Sequence, residues 1–546
     1  MLRLTEIKLP LDHDEQALEQ AIIKKLRLRD GQLTSYRIFK RSYDARKREN
    51  IRLIYIIDVD STEEKGLLKR FQSDPHVFPA PSTEYRLVAQ APKRLPHRPI
   101  VIGCGPCGMF AGLLLAQMGF RPIILERGKA VHERSQDTFR FWSKGTLNPE
   151  SNAQFGEGGA GTFSDGKLYS RIKKTDNRGQ KVLFELIEAG ADPEIRYVGK
   201  PHIGTYRLVK IVESIRGSIE RLGGEIRFEQ RVEDITIENG QVQGVTLANG
   251  EYLASKHVVL AVGHSARDTF EMLHRRGIYI EPKPFSLGVR IEHPQAMVDA
   301  FRFGDYVGDP ILGTADYKLV HHCRGEGLAG RSVYSFCMCP GGQVVAAASE
   351  PGQLVTNGMS QYERSGKNAN SGIVVDISPA DFPSDEPLAG IALQRELEAQ
   401  AFELGGGDYR APGQLLGDFL ADRPSTALGS VKPTYKPGVR LCNLAEIMPD
   451  YVAAALREAI PAFDRKLPGF AMADAVITGL ETRTSSPIRI KRDDRTLQSL
   501  NTQGLYPAGE GAGYAGGILS AGVDGIRVAE AIAWSIVNAA QPATIL

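Results

Sequence analysis

The stretch RPIVIGCGPCGMFAGLLLAQMGFRPIILERG, residues 98–128, decides how the middle of this chain folds. It sets an apolar strand, a glycine-rich turn, an apolar helix and a second strand that ends at Glu126. Gly103, Gly105 and Gly108 follow the GxGxxG spacing, which permits a tight turn, a close approach of backbone to a pyrophosphate and close packing of helix and strand. The free N–H groups at the start of the helix favour phosphate binding, and a carboxylate at the end of the second strand can accept hydrogen bonds from ribose hydroxyls. The stretch predicts a dinucleotide site that includes Pro106 and Arg127, and it does not separate FAD from NAD, because both contain ADP.

The C-terminal stretch GLYPAGEGAGYAGGILSAGVDGIRVAEAIAWSI, which begins at Gly504, separates the two cofactors. It predicts a short strand, a glycine-rich turn and a closing helix, an arrangement that in FAD-binding Rossmann proteins brings an acid to the ribitol and a helix start to the flavin. Gly509 and Glu510 fit the acid turn, and the backbone of Gly516, Gly517 and Ile518 fits the approach to the flavin. We therefore expect non-covalent FAD, since neither turn offers an evident His or Cys attachment point.

Two further GxGxxG spacings lack the context of a second nucleotide site. The first, with Gly156, Gly158 and Gly161 in QFGEGGAGTFSDGKL, has no apolar strand before it and no apolar helix after it. We interpret Gly158 and Gly161 as part of a backbone nest near the flavin. The second, from Gly511 to Gly516, is followed by a helix but by no second strand with an acid. A dedicated NAD(P) domain is therefore not evident. Electrons are expected to come from the substrate, from an external donor such as a protein partner, or from a nicotinamide bound transiently in the cleft that faces the flavin.

The composition is that of an ordinary globular protein of several domains. The chain has 546 residues, 42% hydrophobic and 24% charged, with a formal net charge of +2 that predicts neither an acidic nor a basic partner. The first residues lack a signal-peptide pattern, and no apolar run has the length of a membrane span. Six cysteines in so long a chain do not form a disulfide framework. These features predict a cytoplasmic protein.

Residues 1–95 are predicted to form a ferredoxin-like α+β module with the order β-α-β-β-α-β. Strands are expected at LRLTEIKL, TSYRIFKRS, IRLIYIIDVD and EYRLVAQ, with helices near residues 14–28 and 62–72. The module has 19 Lys and Arg against 14 Asp and Glu, which raises the possibility of RNA binding. Against RNA, the strand IRLIYIID lacks the aromatic stacking pattern, and residues 46–48 resemble a solvated hairpin tip.

The remaining chain divides into an interrupted FAD-binding Rossmann domain and an insertion. A helix, a strand, a hairpin and a returning strand lead to VVLAVG, with Val232 expected at the adenine and Gly263 beside the dinucleotide. From about residue 276 the pattern changes to short strands interrupted by Pro and Gly, with helices near 390–404 and 450–465. The predicted boundaries are 96–275 and 470–546 for the α/β FAD-binding domain and 276–469 for an α+β substrate domain.

A set of longer motifs carries a family resemblance over essentially the whole chain. The motifs are EGGAGTFSDGKL, KPFSLGVRIEHP, FCMCPGGQVVAAAS, TNGMS, ETRTSSPIRI and YPAGEGAGYAGGI. With them the chain resembles the uncharacterised FAD-dependent dehydrogenase family, distantly related to geranylgeranyl-reductase-like flavoproteins. The resemblance implies a glutathione-reductase-type FAD fold and a redox activity, and it implies neither a substrate nor a catalytic residue.

Catalytic candidates therefore come from chemistry. Cys337 and Cys339 fit either a redox pair or two small buried hydrophobes, and Lys167 fits either a partner for negative charge at the flavin or a solvated lysine. Arg290 is an anion or proton partner candidate, as are His293 and Arg483. His321 and His322 are adjacent and point to opposite faces of a strand, which argues against joint metal ligation.

The sequence predicts an FAD-dependent dehydrogenase or reductase whose unidentified small-molecule substrate lies between the FAD-binding and inserted domains. A reductase of a large apolar or conjugated substrate fits the family resemblance. The alternative from another class is an RNA-associated flavoprotein, or a scaffold that holds flavin, that uses the basic N-terminal module.

Overall fold

The N-terminal module is a four-stranded antiparallel sheet with two helices in the computed structural model, which describes residues 1–168, 172 and 177–540. Its elements are β1 (Leu2–Pro10), α1 (Ala17–Leu26), β2 (Leu33–Asp44), β3 (Arg52–Ser61), α2 (Glu64–Arg70) and β4 (Val77–Pro79). The strand order β2-β3-β1-β4 has the ferredoxin-like connectivity.

The last strand of this module is not the one that the sequence predicts. The sheet closes with β4, whereas EYRLVAQ, residues 84–90, forms no strand. Two prolines, Pro79 and Pro81, interrupt the chain before this segment, and proline cannot donate to a strand ladder. The segment instead packs on the next unit, where the Tyr85 hydroxyl donates to Glu530 over 2.9 Å and the Ala91 N–H donates to the Met118 carbonyl over 2.8 Å.

The FAD-binding unit is built on a five-stranded parallel sheet in the order β23-β11-β5-β6-β7. Its elements are β5 (Ile100–Ile102), α3 (Pro106–Gln117), β6 (Ile123–Leu125), α4 (Val131–Lys144), α5 (Asn177–Glu188), α6 (Thr205–Arg221), β7 (Glu225–Arg227), β8 (Val232–Glu238), β9 (Gln241–Leu247), β10 (Tyr252–Ala254), β11 (Val258–Leu260), α7 (Arg267–Arg275), β23 (Leu505–Pro507) and α12 (Ile518–Ala540). The central strands are short apolar runs that are fully buried, as expected for a parallel sheet covered on both faces. Helix α3 packs against α12, and β8, β9 and β10 form a separate antiparallel sheet.

The inserted unit is built on a seven-stranded mixed sheet in the order β14-β15-β18-β13-β21-β19-β20. Its elements are β12 (Ile280–Pro282), β13 (Phe285–Pro294), α8 (Gln295–Phe303), β14 (Val320–His322), β15 (Ser332–Cys339), β16 (Gln343–Ala346), β17 (Thr356–Met359), β18 (Asn368–Ile377), α9 (Ala389–Gly405), β19 (Ala411–Leu415), α10 (Leu416–Leu420), β20 (Val439–Leu441), α11 (Asp450–Asp464), β21 (Val476–Glu481) and β22 (Ile488–Ile490).

This sheet extends past residue 469, where the sequence predicts a return to the FAD-binding domain. All six residues of β21 are buried, and β21 lies antiparallel to β13 near the middle of the sheet. The strand β22 then pairs with β12, so the chain enters and leaves the insertion through a two-stranded ribbon. A fully buried strand carries no alternation of apolar and polar residues, so the sequence pattern does not indicate which sheet β21 joins.

The N-terminal module packs directly on the inserted unit. Its core is continuous with Phe303, Met338 and Ala369 of that unit, and the Arg48 guanidinium stacks on the Phe301 ring at 4.5 Å. One residue of the supposed basic tip is therefore used in packing inside the molecule. In the part of the chain described, no helix is both long and apolar enough to cross a membrane.

Candidate functional site

A cleft of about 710 Å³ lies between the parallel sheet and the seven-stranded sheet, and both units line it. Most residues predicted from the sequence to bind the cofactor or act on substrate line it, namely Gly103, Gly105, Pro106, Glu126, Arg127, Gly161, Lys167, Val232, Gly263, Cys337, Cys339, Glu510, Gly516, Gly517 and Ile518. Five predicted residues do not line the cleft: Gly108, Gly158, Arg290, His293 and Gly509.

The glycine-rich turn after β5 requires its glycines for steric reasons. Gly103 has φ +99°, and a Cβ there would lie 2.4 Å from the Ala261 carbonyl oxygen. A Cβ at Gly108 would lie 1.9 Å from the Gly103 carbonyl oxygen, so this glycine serves the packing of α3. Helix α3 begins at Pro106, and its first turn faces the cleft with N–H groups that have no partner within a helix. This turn has the form of a pyrophosphate cradle.

The Glu126 carboxylate ties the turn together and keeps one acceptor site for a ligand. It accepts hydrogen bonds from the backbone N–H groups of Cys104, Gly128 and Gly156 over 2.8, 2.9 and 2.9 Å. An ionised carboxylate has about four lone-pair sites, so these three donors leave one. Glu126 lines the cleft, where a ribose hydroxyl fits that site. The residues present therefore fit a dinucleotide.

The C-terminal turn contributes an open stretch of backbone. A Cβ built on Gly516 meets no atom within 4 Å, and Gly517 has φ +132°. Glu510 lines the cleft and lies 3.2 Å from His264 Nδ1. Gly509 lies beneath it, where its N–H donates to Asp524 over 2.8 Å and a Cβ would lie 2.8 Å from Cys107 Cβ. The glycine is needed there for packing rather than for contact with a ligand.

The two glycines of the predicted backbone nest, Gly161 and Gly158, also differ in whether they line the cleft. Gly161 lines the cleft, and a Cβ there would lie 3.1 Å from Ile518 Cγ1. Gly158 instead donates its N–H to the Cys104 carbonyl over 2.8 Å and has no room for a side chain beside Thr162. It supports the turn from outside the cleft.

Arg127 and Val232 lie at the edge of the same cleft. Arg127 stacks on the Phe155 ring at 4.2 Å and pairs with Glu150 and Asp268, each over 2.9 Å. Its guanidinium is therefore held in place before a ligand arrives. Val232 begins β8 and presents its backbone and a mostly buried side chain.

Cys337 and Cys339 lie in a bulged part of β15 rather than in a regular strand. The pairing of β15 with β18 shifts between Phe336 and Cys339, and Cys337 has φ +43°. Cys337 is an exposed residue that lines the cleft. Partial desolvation of its thiol by the surrounding protein raises the pKa of the thiol to about 11. Burial also raises the pKa of Cys339. Both cysteines line the cleft, but only Cys337 is exposed, whereas Cys339 is buried as a small hydrophobe would be. Both stay protonated at neutral pH.

Lys167 holds the cysteine bulge from the opposite side of the cleft. Its ammonium donates to the Met338 carbonyl oxygen and lies 3.9 Å from Cys339 Sγ and 3.6 Å from Asp165 Oδ2. The side chain is 17% exposed, so the alternative of a solvated lysine is wrong.

Arg290 lies behind the cleft as a support. It is fully buried and forms an ion pair with Glu481, with 2.9 Å between Arg290 Nε and Glu481 Oε2. Its Nη1 donates to the Cys337 carbonyl over 3.0 Å, and its Nη2 donates to Asn357 over 3.2 Å. Cys337 and Asn357 line the cleft, so Arg290 positions residues that a ligand reaches.

Arg483 lines the cleft as part of a buried ionic cluster that sequence reasoning missed. Arg267 and Arg483 each donate over 2.7 Å to the buried carboxylate of Glu398 in α9, and these two cations hold the pKa of Glu398 far below its usual range. The one indication of this cluster in the sequence is Glu398 at a buried position of a helix. Its partners lie more than 80 residues away along the chain, so the sequence does not identify them. His293 lies elsewhere, where its Nε2 bonds to the Phe470 carbonyl and burial lowers its pKa to about 4.

Comparison with known proteins identifies two family models and a relative that spans almost the whole chain. A family model described as "FAD-dependent protein, C-terminal domain-like" matches residues 284–484, and one for a domain of unknown function matches residues 1–60. An uncharacterized protein of Clostridium beijerinckii is 49% identical over 531 residues, which cover 97% of this chain and 98% of that protein.

Solved structures of flavoproteins are similar only at low scores. A geranylgeranyl bacteriochlorophyll reductase-like protein of Thermoplasma acidophilum has a TM-score of 0.34 and 12% identity, over 81% of this chain and 79% of that chain. CtdE, solved in complex with FAD, has a TM-score of 0.31 and 12% identity, over 79% and 83% of the two chains. Scores of this size establish no shared reaction. The family model and the long match to the C. beijerinckii protein show that the chain belongs to a family of FAD-dependent flavoproteins, and its cofactor is FAD.

Proposed function

We propose that this flavoprotein is an oxidoreductase, a dehydrogenase or reductase, that binds a small-molecule substrate in the cleft between the FAD-binding unit and the inserted unit. The observation that carries the proposal is the composition of the cleft wall. The parallel sheet contributes the dinucleotide turn and Glu126, and the inserted sheet contributes Phe336, Cys337 and Asn357 to the same cavity. Cofactor and substrate surfaces therefore meet in one space.

The residues that would hold FAD come from three turns. The start of α3 would hold the pyrophosphate, Glu126 would accept hydrogen bonds from the ribose, and the backbone around Gly516 would contact the flavin. The redox chemistry is that of FAD, and the protein has to hold the substrate, orient it and manage a proton.

Cys337 is the cleft residue best suited to manage that proton. Its thiol reaches the cleft and is protonated at neutral pH, so it suits a donor rather than a nucleophile. The nearby ammonium of Lys167 favours the thiolate that remains after the proton has left, because opposite charges attract. We place Cys337 as the proton donor and Lys167 as the group that stabilises its charged form.

The test is an anaerobic screen of metabolites against the FAD-loaded protein, read as loss of flavin absorbance. We expect at least one class of small molecule to bleach the flavin or, with photoreduced protein, to restore its absorbance. Phe336→Ala should raise the half-saturating concentration about 10-fold, since Phe336 offers apolar surface to the substrate. Phe184→Ala is the matched control, because Phe184 lies 49% exposed on α5 and outside the cleft. Equal responses of the two variants would contradict the location of the substrate.

A further inference from the structure

A cluster of three metal-ligating side chains lies in the inserted unit, outside the cleft. His321 belongs to β14, Cys323 follows that strand, and Glu458 belongs to α11. One candidate ligand atom from each residue, an imidazole nitrogen, a thiol sulfur and a carboxylate oxygen, lies within 4.8 Å of the other two. We propose that these residues form a binding site for a single Zn²⁺ ion, which joins the edge strand β14 to helix α11.

The strand geometry places the two chain-neighbouring ligands on one side. His321 and Cys323 are two residues apart, so their side chains point the same way, toward α11. His322 points the other way, where its Nδ1 contacts the Ser332 hydroxyl over 2.9 Å. The two adjacent histidines thus lie on opposite faces of the strand, and the second ligand is the cysteine one position further on.

The carboxylate is oriented before any ion binds. Glu458 accepts hydrogen bonds from the N–H groups of Arg324 and Gly325, each over 2.9 Å. Outer contacts of this kind are typical of carboxylates that ligate metals. His321 Nε2 lies 2.8 Å from Glu458 Oε1, whereas two such ligands of one tetrahedral Zn²⁺ are about 3.3 Å apart. Metal binding therefore requires this pair to open by about half an ångström.

The donor set selects the metal. A thiolate, an imidazole and a carboxylate suit Zn²⁺, and three protein ligands leave a fourth position for water. Cys323 is 6% exposed, while the side chains of His321 and Glu458 are 19% and 26% exposed, so the site opens to solvent on one side. Cys323 ligates a metal as the thiolate, so binding of the ion displaces the thiol proton.

The experiment titrates FAD-loaded, full-length protein that carries no polyhistidine tag with Zn²⁺ and, as a visible probe, Co²⁺. We expect one ion per chain, with Co²⁺ absorption bands beyond the flavin spectrum that report tetrahedral thiolate coordination. Cys323→Ser and His321→Ala should each weaken Co²⁺ binding more than about 10-fold, and Glu458→Gln should weaken it while keeping an acceptor for one of the two N–H groups.

His322→Ala is the matched control, because it removes an imidazole from the same strand but from its other side. It should leave the Co²⁺ affinity unchanged. Flavin content, measured for every variant, shows whether the fold is retained. Failure of the wild-type chain to bind either ion, or equal Co²⁺ binding by the wild-type and Cys323→Ser proteins, would overturn the proposal.

Discussion

Arg290 donates a hydrogen bond from Nη1 to the backbone carbonyl oxygen of Cys337 over 3.0 Å, which joins a fully buried guanidinium to a left-handed residue at the cleft. A positive φ at a residue with a side chain costs about 1–2 kcal/mol. The bulge of β15, the Arg290 contact and the contact of Lys167 with Met338 hold the conformation from both sides. This backbone strain lies at the residue with the exposed thiol, and the proposed proton transfer requires that thiol to be held in a fixed position.

The pair of Arg290 and Glu481 should be essential for stability. Glu481→Gln leaves the buried guanidinium without its counter-charge, so we expect the apparent free energy of unfolding to fall by about 3–5 kcal/mol. Urea unfolding followed by flavin absorbance measures this.

An exposed ion pair provides the comparison. Arg410 and Asp408 are each about half exposed, and Asp408→Asn should change the same quantity by less than about 1 kcal/mol. Similar losses for Glu481→Gln and Asp408→Asn would show that the buried pair does not hold the inserted sheet.

Strain and chemistry at Cys337 can be separated with two substitutions. Cys337→Gly relieves the left-handed strain and should raise the free energy of unfolding by about 1 kcal/mol relative to Cys337→Ala. Both variants lose the thiol, so both should slow turnover of a substrate found in the screen by about 10²–10⁴-fold. Cys442→Ala, a half-buried cysteine outside the cleft, should keep the rate. Full activity of Cys337→Ala would exclude the thiol as the proton donor.

Gly516 allows FAD binding to be blocked without disturbing the fold. Its missing side chain would enter open space on the cleft, so Gly516→Val should fold with normal thermal stability of the apoprotein but bind FAD at least about 10-fold more weakly. Flavin content after gel filtration and fluorescence titration of apoprotein with FAD measure the effect. Gly516→Ala should give a smaller loss, and a valine variant with full FAD affinity would place the flavin elsewhere.

Two buried histidines make the protein less stable in mild acid. Burial lowers the pKa of His257 and of His293 from 6.5 to about 4. The unfolded chain therefore binds more protons than the folded one between these values, so stability is complete above pH 6.5 and is lost as the pH falls toward 4. Each shift corresponds to about 3 kcal/mol at the acid end.

The variant His293→Gln checks this, because glutamine keeps a donor for the Phe470 carbonyl and does not titrate. Its urea midpoint should change less steeply with pH than that of the wild type in this range. An unchanged slope would show that His293 is not excluded from water.

The sequence predicted those parts of the fold and site in which local chemistry is sufficient. The turn with Gly103 and Gly108 has one steric solution, and the periodicity of the surrounding strands and helix identifies the parallel sheet. The FAD assignment followed from a second glycine turn far along the chain, and the family comparison confirms it.

The parts that could not be predicted depend on contacts between distant segments. A one-residue bulge decides whether Cys337 faces a core or the cleft, because it moves the following side chains to the other face of the sheet. The alternation of apolar and polar residues does not indicate this bulge. Glu398 meets its two arginines only after the units pack together, and the spacing of residues along the chain does not predict such ion pairs. The C-terminal glycine turn contains both Gly516, which faces the cleft, and Gly509, which faces Cys107, and residue type does not distinguish them.

The route by which electrons enter follows from the single dinucleotide unit in the described chain. The turn from Gly156 to Gly161 packs on the first turn instead of forming a second one, since a Cβ at Gly159 would lie 2.8 Å from Gly105 Cα. The turn from Gly511 to Gly516 leads into α12, with no further strand up to residue 540. Hydride transfer needs a nicotinamide held in a near-attack geometry, and without its own pyrophosphate cradle that pose is weakly populated. We therefore expect NADH and NADPH to reduce the flavin slowly and without saturation at micromolar concentration when no other substrate is present. Anaerobic stopped-flow mixing, with flavin absorbance followed against nicotinamide concentration, measures this. Fast reduction that saturates at micromolar NADH or NADPH would make the protein a nicotinamide-dependent reductase and would place a second nucleotide in the cleft itself.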